Sequence, residues 1–144
     1  TYAGRLDKDS EGLILLTNDG DLINAMMRGA NRHEKEYIVK TDKEITPDFL
    51  EKMRQGIFLK DLDITTRQCE VEQIGKFTFR IVLTQGVNRQ IRRMCEACGT
   101  KVKALKRVRV MNVLLGDLKP GRWREVTGEE LKQLQKDAGM LNRD

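Results

Sequence analysis

The chain has 144 residues, 39% hydrophobic, 5% aromatic and 34% charged, which suits one globular domain with its own core and excludes a disulfide miniprotein. Lys and Arg outnumber Asp and Glu by 27 to 22, for a net charge of +5 and a pI near 9.2, so the placement of the cations matters more than their total. Cys69, Cys95 and Cys98 follow no disulfide rhythm, no signal segment opens the chain, and no run of about eighteen apolar residues occurs, so a reduced, cytoplasmic protein without a membrane span is expected.

The chain has no initiator Met and begins almost inside its most heavily charged motif, Gly4-Arg5-Leu6-Asp7-Lys8-Asp9-Ser10-Glu11-Gly12, so an N-terminally truncated domain is expected. That motif runs into Leu13-Ile14-Leu15-Leu16, a short strand closed by the turn signal Thr17-Asn18-Asp19-Gly20. A charged turn feeding a buried strand gives access to a side chain and fixes its position. Asp21 to Arg28 carries Leu22, Ile23, Met26 and Met27 at helical spacing, with the methionine pair read as core filler. Residues 33–40 read as a strand centred on Tyr37-Ile38-Val39.

Thr46 and Pro47 open a helix that ends at Gly56, as N-cap and first helical residue. The runs at Ile64 to Val71 and Phe77 to Leu83, with Gly75-Lys76 between them, predict an antiparallel hairpin. Asn88 is the expected cap of a helix over Arg89 to Glu96, with Ile91, Met94, Cys95 and Cys98 inward and a cationic outer face. A strand over Val102 to Val113, a turn at Pro120-Gly121 and a last helix with a Thr127/Glu130 capping box complete the chain. Hairpin neighbours outnumber strand-helix-strand crossovers, so the expected class is α+β, with a largely antiparallel mixed sheet flanked by helices.

Several chemistries can be weighed on residues alone. Asp7, Asp9, Glu11 and Gly12 mimic the start of an EF-hand loop, but Asn18 replaces the closing glutamate and no helix leads in, so a calcium site is not expected. The Cys95-Glu96-Ala97-Cys98 pair lacks further ligands at supporting spacing, and buried small hydrophobes are the better reading. No catalytic triad, P-loop or dinucleotide fingerprint occurs. Between Arg89 and Arg109, eight cations stand against the single acid Glu96, a density that suits phosphate backbone binding.

The blocks Gly4-Arg5-Leu6-Asp7 to Gly20, Lys35-Glu36-Tyr37, Gln85 to Met94, and Leu118-Lys119-Pro120-Gly121-Arg122-Trp123-Arg124 resemble, in order, the signature of the pseudouridine synthases of the small- and large-subunit ribosomal branch. The runs Asn88 to Glu96 and Val110 to Val113 resemble one large-subunit member most. The resemblance implies that residues 1–144 are a catalytic domain lacking the S4-like RNA-binding domain of many members. It implies isomerisation of uridine to pseudouridine on a flipped-out base, without metal or organic cofactor. Asp7 corresponds to the acting carboxylate, Arg92 to the arginine that pairs with it and keeps it ionised although largely shielded, and Tyr37 to the aromatic beneath the uracil. Arg5, Arg89, Arg93, Lys103, Arg107 and Arg109 are the expected RNA contacts, and Leu114 or Leu115 the apolar residue closing the pocket. Asp9 and Glu11 are expected to be turn and surface residues. The expected partner is large-subunit ribosomal RNA, with transfer RNA left open as a second substrate, and the expected state is a monomer. The rival reading is a non-catalytic RNA-binding or ribosome-assembly module with the same fold.

Overall fold

The computed structural model describes residues 2–4, 6–28 and 33–140. Its centre is a mixed sheet in the order β10 (Val113–Leu114), β9 (Val102–Val110), β4 (Lys35–Thr41), β8 (Thr78–Leu83) and β7 (Glu70–Gly75), with β2 (Glu11–Gly12) also paired to β9. All these pairs are antiparallel except β2 with β9. Two small pairs stand apart, β1 (Tyr2–Ala3) with β3 (Leu15–Leu16) and β5 (Phe58–Leu59) with β6 (Ile64–Thr65). The helices are α1 (Gly20–Met27), α2 (Pro47–Gln55), α3 (Gln90–Ala97) and α4 (Gly128–Asp137). The α+β class with a largely antiparallel mixed sheet is therefore the observed one.

Two apolar clusters hold these layers. The larger joins Val39, Phe79, Ile81 and Leu105 of the sheet to Phe49, Leu50 and Met53 of α2 and to Ile91, Met94 and Cys95 of α3. Phe49 and Phe79 meet edge-on with ring centroids 5.4 Å apart. The smaller joins Leu13, Leu15, Leu22 and Met26 to Val110, Val113, Leu115 and Leu134, and so fastens the opening strands to the C-terminal helix. Met27, by contrast, is 57% exposed, so only Met26 of the pair fills core.

Three local expectations are corrected. The residue before α3 is Arg89, in the left-handed region at φ 50° and without a side-chain cap, while Asn88 accepts hydrogen bonds from Arg93 instead. Thr127 precedes α4 but makes no capping hydrogen bond, and the Glu130 carboxylate is taken by Arg124 at 2.7 and 2.9 Å. The long strand from Val102 ends at Val110, because Met111 at φ 54° turns the chain into β10. Among the described residues no helix is long and apolar enough to cross a membrane.

Candidate active site

One cross-strand row organises the site. Gly12 of β2 lies beside Arg107 of β9, Arg107 opposite Tyr37 of β4, Tyr37 opposite Ile81 of β8, and Ile81 opposite Val71 of β7. Directly paired residues share a face, so Arg107 and Tyr37 stand on the side that carries the main core. Strand spacing places Tyr37 about 10 Å from Gly12, which follows Asp7 closely in the chain.

The loop before Gly12 folds as one turn, with the Ser10 N–H donating to the Asp7 carbonyl at 3.0 Å. The first turn of α3 closes on it from across the chain. Arg89 donates from Nη1 to Asp9 Oδ1 and from Nη2 to Asp9 Oδ2, both at 3.0 Å, and its Nη1 lies 3.8 Å from Asp7 Oδ2. Arg92 donates from Nη2 to the Asp9 carbonyl at 2.8 Å and lies 3.6 Å from Asp9 Oδ1. Its side chain is only 13% exposed, and its buried Nε has no hydrogen-bond partner. The Arg89 hydrogen bond holds the Asp9 carboxyl below the usual carboxylate range, with the charge of Arg92 adding to it and desolvation opposing.

The expected pairing of Arg92 with Asp7 is thus not the one present. Arg92 is engaged by Asp9, whose carbonyl and carboxylate face the start of α3, and among the described residues the cation nearest the Asp7 carboxylate is Arg89. Asp7 is 34% exposed, half-buried rather than largely shielded. Asp9 does occupy the turn, but it also anchors both arginines, a role that sequence spacing alone does not announce.

The expected cationic RNA face needs correction as well. Arg107 is 1% exposed and donates from Nε to the Leu13 carbonyl at 2.8 Å, because strand alternation sends Leu105 and Arg107 inward and Lys106 outward. A register shift between Glu36 and Tyr37 turns Arg109 to the opposite face, where it bonds Glu36 at 2.9 Å and Glu34 at 3.1 Å. Arg93 is folded back on Asn88, whereas Lys103 is exposed. Arg5 lies outside the described residues. Of the two candidate pocket leucines, Leu115 is 8% exposed within the smaller core and Leu114 is 57% exposed.

Lys35, two residues before Tyr37 in β4, also lies in this neighbourhood. Its Cε is 4.0 Å from where a Cβ on Gly4 would stand, and burial, then the charge of Arg107, hold its ammonium below the usual lysine range. The Cys95 thiol is pushed up to about 12 and that of Cys69 to about 11 by burial, which leaves both thiols protonated and poor ligands at neutral pH. Among the described residues no three His, Cys, Asp or Glu side chains are grouped to hold a metal ion. A cavity of about 850 Å³ lies between β3, α1, α4 and residues 118–127, and neither Asp7, Tyr37 nor Arg92 lines it.

Comparison with known proteins identifies the family. The family model described as RNA pseudouridylate synthase matches residues 1–97. The chain is 53% identical over 133 residues to the dual-specificity RNA pseudouridine synthase RluF of Escherichia coli, the member resembled by the runs Asn88 to Glu96 and Val110 to Val113, covering 92% of this chain and 45% of that protein. It is 39% identical over 121 residues to the ribosomal large subunit pseudouridine synthase B of Xylella fastidiosa, covering 78% of this chain and 25% of that one. The crystal structure of a pseudouridylate synthase superposes with a TM-score of 0.89 at 30% identity, over 92% of this chain and 58% of that one. The chain therefore spans about half or less of the curated proteins named here. With the match running through the Asp7 turn, the Tyr37 strand and the arginines of α3, the chain belongs to the RNA pseudouridylate synthase family.

Proposed function

We propose that this chain isomerises uridine to pseudouridine in RNA, that large-subunit ribosomal RNA is its substrate, and that Asp7, Arg92 and Tyr37 carry the reaction. The observation that supports this most directly is the convergence of three segments distant in sequence. The Asp7 turn is held by Arg89 and Arg92 at the start of α3, and β2, into which it leads, stands across β9 from the Tyr37 strand, with Gly12, Arg107 and Tyr37 in one row.

The chemistry sets matching demands. The N1–C1′ bond breaks, the uracil turns, C5 joins C1′, and the proton leaving C5 is balanced by one gained at N1. A carboxylate serves either as nucleophile at the sugar or as the base that takes a sugar proton, and Asp7 is the half-buried carboxylate of the family motif. The arginines beside its turn favour negative charge there. Tyr37 offers a flat face to a uracil extruded from its helix, a step that costs a few kcal/mol. The unpartnered Nε of Arg92 leaves a donor for a carboxylate or a phosphate.

The names of the relatives support this choice of substrate. One is called a dual-specificity RNA pseudouridine synthase and another a large-subunit synthase. The test is to incubate the protein with ribosomal RNA, and separately with transfer RNA, and map pseudouridine, with Asp7→Asn and Asp7→Ala in parallel. Pseudouridine formed in large-subunit RNA by wild type and lost in both variants is expected. Equal activity of Asp7→Asn and wild type would refute the assignment, and binding without product would leave an RNA-binding module.

A further inference from the structure

Lys35 is a cation set among apolar strand neighbours. Its pairing with β8 runs unbroken into that of Tyr37, Lys35 opposite Leu83 and Tyr37 opposite Ile81, so the two side chains leave β4 on the same face. Leu83 and Val110, its partners on either side, are 5% and 1% exposed, and Lys35 itself is half-buried. The reach of its Cε to Gly4 lays the side chain along the segment that leads into Asp7. Lysines are seldom taken out of water without a partner. Glu36 is no partner, because it points to the opposite face, where Arg80 and Arg109 hold it. Among the described residues no carboxylate pairs with the Lys35 ammonium, and the charge that acts on it is a second cation, Arg107.

We infer that Lys35 binds a backbone phosphate flanking the uridine whose base lies on Tyr37. The inference rests on the isomerase reading above. Two residues along a strand are separated by about 6.6 Å, comparable to the span of one nucleotide from base to phosphate. A compact ammonium on a flexible stem suits a single phosphate oxygen that arrives with the RNA. The phosphate supplies the anion that the protein lacks at this place, and the contact helps to hold the nucleotide out of its helix once it has flipped. Arg107, 1% exposed and bonded through Nε to the Leu13 carbonyl, adds positive charge behind Lys35 without touching the RNA.

The experiment is single-turnover conversion of large-subunit ribosomal RNA by excess wild type, Lys35→Met and Lys35→Arg at several salt concentrations, with thermal unfolding measured alongside. Lys35→Met is expected to raise the half-saturating protein concentration about tenfold and to reduce the slope of log affinity against log salt by about 1, with no fall in the unfolding midpoint. Lys35→Arg keeps the charge and is expected to keep the slope. In a second arm, each phosphate flanking the modified uridine is replaced in turn by an uncharged methylphosphonate. One of these RNAs is expected to bind wild type as weakly as unmodified RNA binds Lys35→Met, and to bind that variant no more weakly still. An unchanged slope in Lys35→Met, a slope lost in Lys35→Arg as well, a loss that tracks a lowered unfolding midpoint, or losses that multiply for every methylphosphonate would each overturn the inference. If wild type forms no pseudouridine, the isomerase reading fails, and the contact is decided by the salt dependence of ribosomal RNA binding alone. A smaller slope in Lys35→Met would then support a phosphate contact, and equal slopes would overturn it.

Discussion

Leu13 and Arg107 stand 94 positions apart and exchange two hydrogen bonds of 2.8 Å, the Leu13 N–H donating to the Arg107 carbonyl and Arg107 Nε donating to the Leu13 carbonyl. A cation with this job is a fastener of the strand that leads out of the Asp7 turn. Replacing it leaves the Leu13 carbonyl without that donor in a dry place, so Arg107→Gln is expected to lower stability by about 2–4 kcal/mol. Urea unfolding measures the loss, and RNA binding by the remaining folded fraction should keep its salt slope.

The same approach of strands dictates Gly12. It sits at φ 119°, and a Cβ there would overlap the Arg107 carbonyl oxygen. Backbone strain and overlap together predict that Gly12→Ala costs about 2–5 kcal/mol. Faster hydrogen exchange at the Leu13 amide would show that the β2–β9 contact is what yields.

Lys103 and Arg109 should separate cleanly. Lys103 is exposed, so Lys103→Gln is expected to weaken RNA binding and to reduce the slope of log affinity against log salt by about 1. Arg109 is spent on Glu34, Glu36 and the Met111 carbonyl, so Arg109→Gln is expected to lower stability by about 1–3 kcal/mol with no comparable change in slope. A large slope change for Arg109→Gln would show that it contacts RNA after all.

Lys35 sets a pH dependence. Burial and Arg107 hold its folded-state pKa below the unfolded value, so the folded state disfavours the ammonium. That destabilising contribution is fully present below the folded pKa and disappears as pH rises through it towards the unfolded value of about 10.4. Lys35→Met is therefore expected to unfold at a higher temperature than wild type at pH 7, with the difference shrinking as pH approaches 10. Equal midpoints at pH 7 would count against it.

Cys95 is fully buried with its thiol pushed up to about 12, whereas Cys98 is half-buried. Alkylation of the native protein at pH 8 should spare Cys95 and label it only at the rate of unfolding. Rapid labelling of Cys95 would mean that α3 opens locally.

Much of the molecule was legible from the chain alone because local rules decide it. Thr46, Pro47 and Gly56 bracket α2 as read, with Thr46 accepting from the Phe49 amide at 3.1 Å. Alternating apolar residues mark β8, and Asp19, which accepts from the amides of Asp21 and Leu22, sits at the start of α1. The four ordered motif blocks carried the family. What stayed hidden depended on which distant groups meet. Asn88 and Thr127 look like caps, but the nearest claims on their surroundings come from Arg93 and from the Arg124–Glu130 pair.

The sequence by itself determined the element types, the α+β class and the family to which the Asp7 turn belongs, because hydrophobic period, turn residues and motif order are written along the chain. Only the tertiary structure decided which of the eight cations between Arg89 and Arg109 reach solvent and which acid each arginine takes. The inward turn of Arg107 follows from strand alternation within this sheet, the outward turn of Arg109 from one register shift, and the capture of Arg89 and Arg92 by Asp9 from the approach of α3 to a turn more than eighty residues away. Charge is a property of residues, but pairing is a property of the packed chain.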